Sequence, residues 1–291
     1  MNKKNVGIIF GGVSSEHEVS LKSAESIIKN ISKEKYNVYM LGITKKGKWK
    51  LFGGNVDDIP SGKWEKYEDN KNVIISNDPD VHGMIVEDKN GFESVKLDVV
   101  IPVLHGKNGE DGTIQGLFEI AGIPYVGCRT FASSACMDKI CTNAMLAYFG
   151  VAKAKFHWFS KYDFETEPDN CLDETEKTIK KYPMFVKPSN AGSSVGISKV
   201  NNREELYEGV KVALKEDTRV LIEESINGRE IECAVLGNGE TKASVVGEIV
   251  PCNDFYDYDA KYIDGDSKLF IPANVPEEIS DEIRRTAKKS V

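Results

Sequence analysis

The chain has 291 residues, enough for two or three domains rather than one core. Its 46 acidic against 38 basic residues leave a net charge of −8, which gives no support to binding of nucleic acid or an anionic membrane. No apolar run approaches the roughly 20 residues needed to span a bilayer, and residues 6–10 are too short for a signal-peptide core. Six cysteines without a Cys-x-x-Cys pair read as reduced thiols, and four scattered histidines do not suggest a zinc site, so a cytoplasmic protein is expected.

In chain order, residues 6–10 are continuously apolar, the pattern of a parallel strand buried on both faces. Gly11 and Gly12 turn the chain toward a helix over about 19–32. Glu16 lies just after that turn, where a carboxylate can hold the ammonium of an amino-acid substrate. A helix N-terminal charge is the plainer reading of Glu16 alone. Residues 38–43 form the next strand. Residues 44–96 are polar, with weak strand signals at 47–52 and 72–75, and read as a peripheral elaboration. The strand at 97–104 closes a doubly wound amino-terminal domain, 1–127. It opens into His105-Gly-Lys-Asn-Gly-Glu-Asp-Gly-Thr-Ile-Gln-Gly116. In a helix-covered parallel sheet, ligands collect at the carboxyl ends of the strands. The glycines let backbone N–H groups approach a ligand, and the helix predicted from Thr113 adds its positive end. A glycine-rich surface turn is the competing reading.

Residues 130–149 read as one helix. Residues 184–187 and 195–200 read as an antiparallel pair joined by Ser189-Asn-Ala-Gly-Ser-Ser-Val-Gly196, a loop of small residues able to fold over phosphates. Lys187 sits within the first of these strands, where burial would be costly without an anionic partner. A helix over 202–216 and a strand over 219–223 complete a central domain, 128–223. Beyond Glu224, strands at 231–236 and 243–250 flank a Gly237-Asn-Gly239 turn. A long aromatic and acidic loop follows at 252–270; loops of that length inside a domain are usually functional. The last segment starts a helix at Pro276 with an acidic first turn and an apolar stripe of Ile279, Ile283, Ala287 and Val291. That stripe runs to the last residue, so the carboxy-terminal domain, 224–291, is expected to be incomplete.

Five stretches resemble the D-alanine–D-alanine ligase family. The stretch from His105 to Gly116 matches the family's first signature at every fixed position. The others are Phe10-Gly-Gly-Val-Ser-Ser-Glu-His-Glu-Val-Ser20, Met137-Asp-Lys139, Val186-Lys-Pro-Ser-Asn-Ala-Gly-Ser-Ser-Val-Gly196 and Phe255-Tyr-Asp-Tyr-Asp-Ala-Lys-Tyr262. They occur in the family's order and span almost the whole chain. The resemblance implies an α/β and α+β fold: a doubly wound amino-terminal domain, then a pair of ATP-grasp domains that clamp a nucleotide.

It also implies roles. Lys139 and Lys187 would hold the phosphates of ATP, which carry about four negative charges that compact ammonium groups can meet; Ser194 and the loop around it would close over them. In isolation Lys139 reads better as a solvated helix lysine. Glu223, Glu224 and Ile226 match the connector that contacts adenine, and Glu230 the residue that binds the ribose. Either Glu223 or Glu230 taken alone would be a solvated charge. Lys261 would bring a further cation. Glu16, Ser193 and Tyr262 would join in one hydrogen-bonded set that reports closure over the substrates, shielding an acyl-phosphate from water. His105 would sit near the transferred phosphate, as a neutral donor or a cation.

Two small departures occur: Asn143 stands where a basic residue commonly lies, and residues 151–156 lack a usual proline. Neither is expected to touch the chemistry. The larger departure is that nothing after Tyr262 matches the Asp, the Glu-x-Asn pair and the Arg that would hold two Mg²⁺ and stabilise the tetrahedral intermediate. No metal ligands are therefore expected in these 291 residues, and the chain alone is expected to be inactive.

The implied activity is ATP-dependent joining of D-alanine to a second D-amino acid, D-alanine first among them, for peptidoglycan precursors, by a homodimer. A D-alanine–D-serine ligase of the vancomycin-resistance type shares all five stretches. Tyr262 argues against the D-lactate-using branch, which typically carries histidine there. A nucleotide-binding fragment or paralogue without ligase activity is the alternative of another class.

Overall fold

The computed structural model describes residues 2–251 and 267–290. They fall into two compact units, Met1–Met137 and Asp138–Val291.

In the first unit, β1 (Lys4–Gly11) lies between β2 (Tyr36–Ile43) and β7 (Val99–Pro102), parallel to both. Val6, Ile8 and Phe10 alternate onto one face of the sheet. There they pack with Leu21, Ala24 and Ile28 of α1 (His17–Asn30). Ile9 faces the other way, against Ile114, Phe118 and Ala121 of α2 (Thr113–Ala121). Burial on both faces is why β1 reads as an unbroken apolar run rather than an alternating one. The segment 44–96 corrects the expectation of a peripheral elaboration. It supplies β3 (Trp49–Phe52), β4 (Lys71–Ile75), β5 (Gly83–Asp88) and β6 (Gly91–Lys96), which continue the same sheet antiparallel in the order β6-β5-β4-β3-β2-β1-β7. Val73, Ile75, Met84 and Val86 of this arm are buried in the α2-side core.

The expected helix over 130–149 is two helices, α3 (Thr130–Met137) and α4 (Lys139–Tyr148). The break falls at Asp138, whose side chain caps α4 by accepting from the Cys141 N–H at 3.0 Å. The same carboxylate accepts from the Ser189 hydroxyl at 2.9 Å and from the Arg219 guanidinium. Burial raises the Asp138 pKa, but these donors bring it below the usual carboxylate range.

The second unit carries an antiparallel four-stranded sheet in the order β10-β9-β11-β8. Its strands are β8 (Phe156–Ser160), β9 (Met184–Pro188), β10 (Ser198–Val200) and β11 (Arg219–Glu224). Helices α5 (Lys161–Thr166), α6 (Pro168–Ile179) and α7 (Arg203–Ala213) complete this part of the chain. Leu172 and Ile179 of α6 and Leu206 and Val210 of α7 pack onto Met184, Val186, Val220 and Ile222 in one core. A three-stranded sheet joins β12 (Glu230–Glu232), β15 (Gly247–Val250) and β16 (Lys268–Phe270), and β13 (Val235–Leu236) pairs with β14 (Lys242–Ala243). Residues 268–270, expected within the long loop, are thus a strand. Residues 277–289 form α8 (Glu277–Lys289), in which none of the described residues is buried. Among the described residues, no helix is long and apolar enough to cross a membrane.

Candidate functional site

β1 and β7 are parallel neighbours, with Ile9 opposite Pro102, so their carboxyl ends finish side by side. This juxtaposition sets the Gly11–Gly12 turn and Glu16 against the loop that begins at His105. Ser20 ties the turn down, accepting from the Gly11 N–H at 2.8 Å and donating to the Val103 carbonyl. His17 Nδ1 donates to the Gly12 carbonyl at 2.8 Å. Glu16 is 5 % exposed and stands at the N-cap of α1, yet its side chain makes no cap hydrogen bond. Its carboxylate turns instead toward Gly106: a Cβ built on that glycine would lie 2.2 Å from Glu16 Oε2. Its N-cap position also fits the plainer reading of Glu16 as a charge at the helix terminus.

His105 is half-buried beside it. Nε2 lies 3.1 Å from the Ser23 hydroxyl, and Nδ1 lies 3.8 Å from Glu110 Oε1. Glu110 Oε2 accepts from the Gly106 N–H at 2.7 Å. The loop therefore folds back on itself through Glu110, a residue that the motif contains but to which the sequence alone assigns no task. The Glu110 carboxylate raises the His105 pKa above the ordinary imidazole value; burial opposes this and the charge of Glu16 adds to it. Glu110 itself is pushed up by burial, but His105 and the Gly106 N–H leave it below its usual range on balance.

The sign of the coupling is testable. A raised imidazole pKa stabilises the fold below about pH 6.5, the unfolded value, and that contribution is lost as pH rises through the folded value. Glu110→Gln should lower the His105 midpoint, read by NMR titration of its ring protons. An unchanged midpoint would assign the shift to some other group.

In the second unit, β9 alternates: Met184, Val186 and Pro188 are buried, while Phe185 and Lys187 are only partly so. Phe185 stands opposite Glu223 of β11, so Phe185, Lys187 and Glu223 share one face of the sheet. The anionic partner that Lys187 needs is Glu223, whose Oε2 accepts from Nζ at 2.6 Å. Lys139, at the first turn of α4, is not a solvated helix lysine. It donates to the Ala191 carbonyl at 2.6 Å and so tethers the small-residue loop. Burial and then the charge of Lys187 hold its amine below the usual lysine range. Asn143 reaches the same carboxylate: its amide nitrogen lies 3.2 Å from Glu223 Oε1.

Within that loop, Ser193 and Ser194 adopt φ of 45° and 61°, consecutive left-handed residues that are uncommon outside glycine. Next to the sheet opens a cleft of about 840 Å³, within the range of small-molecule sites. Phe185, Lys199, Ile226, Arg229 and Glu230 are among its lining residues. Ile226 and Glu230 thus meet at one cleft. Glu223 is held with Lys187 beside it, and Glu224 Oε1 accepts from the Lys155 N–H at 2.9 Å. The Phe185 ring faces the cleft and Lys187 Nζ lies 5.8 Å from that ring's centre, a pairing that suits a nucleotide: ring for base, ammonium for phosphate. Tyr262 and Lys261 lie outside the described residues. Among the described residues, no group of three or more His, Cys, Asp or Glu side chains could hold a metal ion.

Two family models match the chain, described as D-ala D-ala ligase N-terminus over residues 5–128 and D-ala D-ala ligase C-terminus over residues 145–291. A D-alanine–D-alanine ligase of Acetivibrio thermocellus is 51 % identical across 99 % of the chain and 80 % of its own length. One of Caldicellulosiruptor bescii is 46 % identical across 99 % and 78 %. Among solved structures, the VanG D-Ala:D-Ser ligase of Enterococcus faecalis superposes with a TM-score of 0.88 at 39 % identity. That match covers 99 % of this chain and 82 % of the other. These similarities bear out the mixed α/β fold with ATP-grasp domains that the motifs imply.

Proposed function

The chain belongs to the D-alanine–D-alanine ligase family, and on that premise we propose that it joins D-alanine to a second D-amino acid at the expense of ATP. The observation that carries this reading is the pair of built half-sites: a buried Glu16 beside His105, and Lys187 set 5.8 Å from the ring of Phe185, which lines a nucleotide-sized cleft. Division into three domains, at 127 and 223, a cytoplasmic setting and a homodimeric assembly accompany the reading on the family resemblance.

ATP supplies the phosphoryl group that turns the first carboxylate into an acyl-phosphate. Its oxygen forms the bond to phosphorus as ADP departs; the second amine then forms the amide bond as phosphate leaves, and the amine's proton passes to solvent. The residues' part is electrostatic and positional. Lys187 and Lys139 meet the phosphates, with the Ser193–Ser194 loop folded over them. Glu16 holds the ammonium of the first D-alanine, and the His105 imidazole faces the charge that develops at the transferred group. Ile226 and Glu230 take the base and ribose. Family resemblance implies Mg²⁺ as well, whose chemistry is to neutralise charge on the phosphates.

Phosphate release should require D-alanine and be absent with L-alanine. Equal turnover with L-alanine, or without any amino acid, would sink the assignment, and nucleotide binding without dipeptide would favour a binding module. The likeness to a D-Ala:D-Ser ligase makes D-serine the competing acceptor. Mass analysis of the dipeptide from an equimolar D-alanine and D-serine mixture decides between them.

A further inference from the structure

We propose that Asn143 is a positioning residue for nucleotide binding, whose amide keeps the Glu223 carboxylate hydrogen-bonded when Lys187 leaves it for phosphate. The proposal rests on the nucleotide reading above. Asn143 lies one turn beyond Lys139 on α4, and its Nδ2 donates to the Lys139 carbonyl at 2.9 Å and to Glu223 Oε1 at 3.2 Å. The other oxygen of the same carboxylate accepts from Lys187 at 2.6 Å. The Glu223 side chain is 16 % exposed and that of Lys187 24 %, so the pair is largely removed from water.

In this arrangement Glu223 stands where an anionic ligand of Lys187 would otherwise be. A phosphate that draws the Lys187 ammonium away from Glu223 leaves a largely buried carboxylate short of its cation, which is costly. Asn143 reduces that cost in a way a cation could not. A lysine or arginine at 143 would neutralise Glu223 outright and add a third positive charge beside Lys139 and Lys187. A neutral amide orients the carboxylate but leaves its charge available to Lys187, so the pair can open and re-form. The bond to the Lys139 carbonyl fixes the amide, leaving Asn143 little freedom to turn away.

The test is ADP binding by calorimetry to the purified protein and to Asn143→Ala, Asn143→Asp and Glu223→Gln, with each Asn143 change also made in the Glu223→Gln background. Melting temperatures are recorded for all. Asn143→Ala should weaken ADP about tenfold, the scale of one hydrogen bond to a charged group. Asn143→Asp should weaken it further by setting two carboxylates together. In the Glu223→Gln background the Ala change should alter affinity less than about twofold, because no charge remains there to be held. Equal weakening in both backgrounds, or none in either, would overturn the proposal and leave Asn143 a helix residue read only in the melting temperature. Failure of the unmodified protein to bind ADP would instead remove the nucleotide reading, and this proposal with it.

Discussion

In a catalytically competent form of the protein, Lys187→Ala should lower kcat/KM for ATP by about 10- to 150-fold, the equivalent of roughly 1.5–3 kcal/mol for one charge-assisted contact. The geometry puts the expectation at the upper end. Removing the ammonium would delete the proposed phosphate contact and also release Glu223, with its negative charge, beside the place proposed for phosphate. The double change Lys187→Ala with Glu223→Gln should therefore recover part of the loss, a non-additivity expected of residues in direct contact. Lys139 gives a second readout. Part of the depression of its pKa comes from the charge of Lys187, so its amine should titrate higher in the variant. Steady-state kinetics at varied ATP measures the first effect and NMR of the lysine amine the second. Unchanged ATP kinetics would make Lys187 a structural cation paired with Glu223 and nothing more.

That pairing also marks where the sequence stops being legible. A lysine inside a strand announces that it needs an anion, but not which one. Its partner Glu223 lies 36 residues away, brought opposite by the register of β9 and β11. The break at Asp138 has the same origin. The helical periodicity of 130–149 is genuine, but the aspartate is held by Ser189 and Arg219, residues 51 and 81 positions distant. Asn143 reads from sequence only as a departure, because its meaning depends on a carboxylate from another element.

A strand buried on both faces, such as β1, is plain in the sequence because both sets of side chains must be apolar. β6, an edge strand with five of its six residues exposed, carries no such signal. The stretch from 156 to 179 is different, since its signals are local. Ser160 and Asp163 make a reciprocal capping box at the start of α5, and Pro168 opens α6 at its first turn. Both helices are announced by residues at their own ends. The motif glycines, by contrast, disclose a loop but not what they make room for.

Gly106→Ala should reveal that purpose, lowering kcat/KM for D-alanine by about 10²-fold, the effect expected when a substrate-holding group is misplaced by about 1 Å. Gly106 has φ of +67°, and an added Cβ would lie 2.2 Å from Glu16 Oε2 and 2.9 Å from the Ser14 hydroxyl. The methyl and the carboxylate cannot occupy those positions together, so either Glu16 swings away or the loop retreats. A retreat would carry the Gly106 N–H from Glu110 and disturb the Glu110–His105 pair as well. Left-handed backbone alone costs an alanine roughly 1–2 kcal/mol of stability, which must be separated from the effect on substrate. Gly91→Ala provides that control. Its φ is +122° and nothing lies within 4 Å of the added carbon, so it should lower the melting temperature while leaving D-alanine kinetics intact. ADP affinity should be unchanged in both variants, because the residues assigned to nucleotide all lie in the second unit. A Gly106→Ala protein with ordinary D-alanine kinetics would mean that Glu16 can be displaced without consequence, and the ammonium would then have to be held elsewhere.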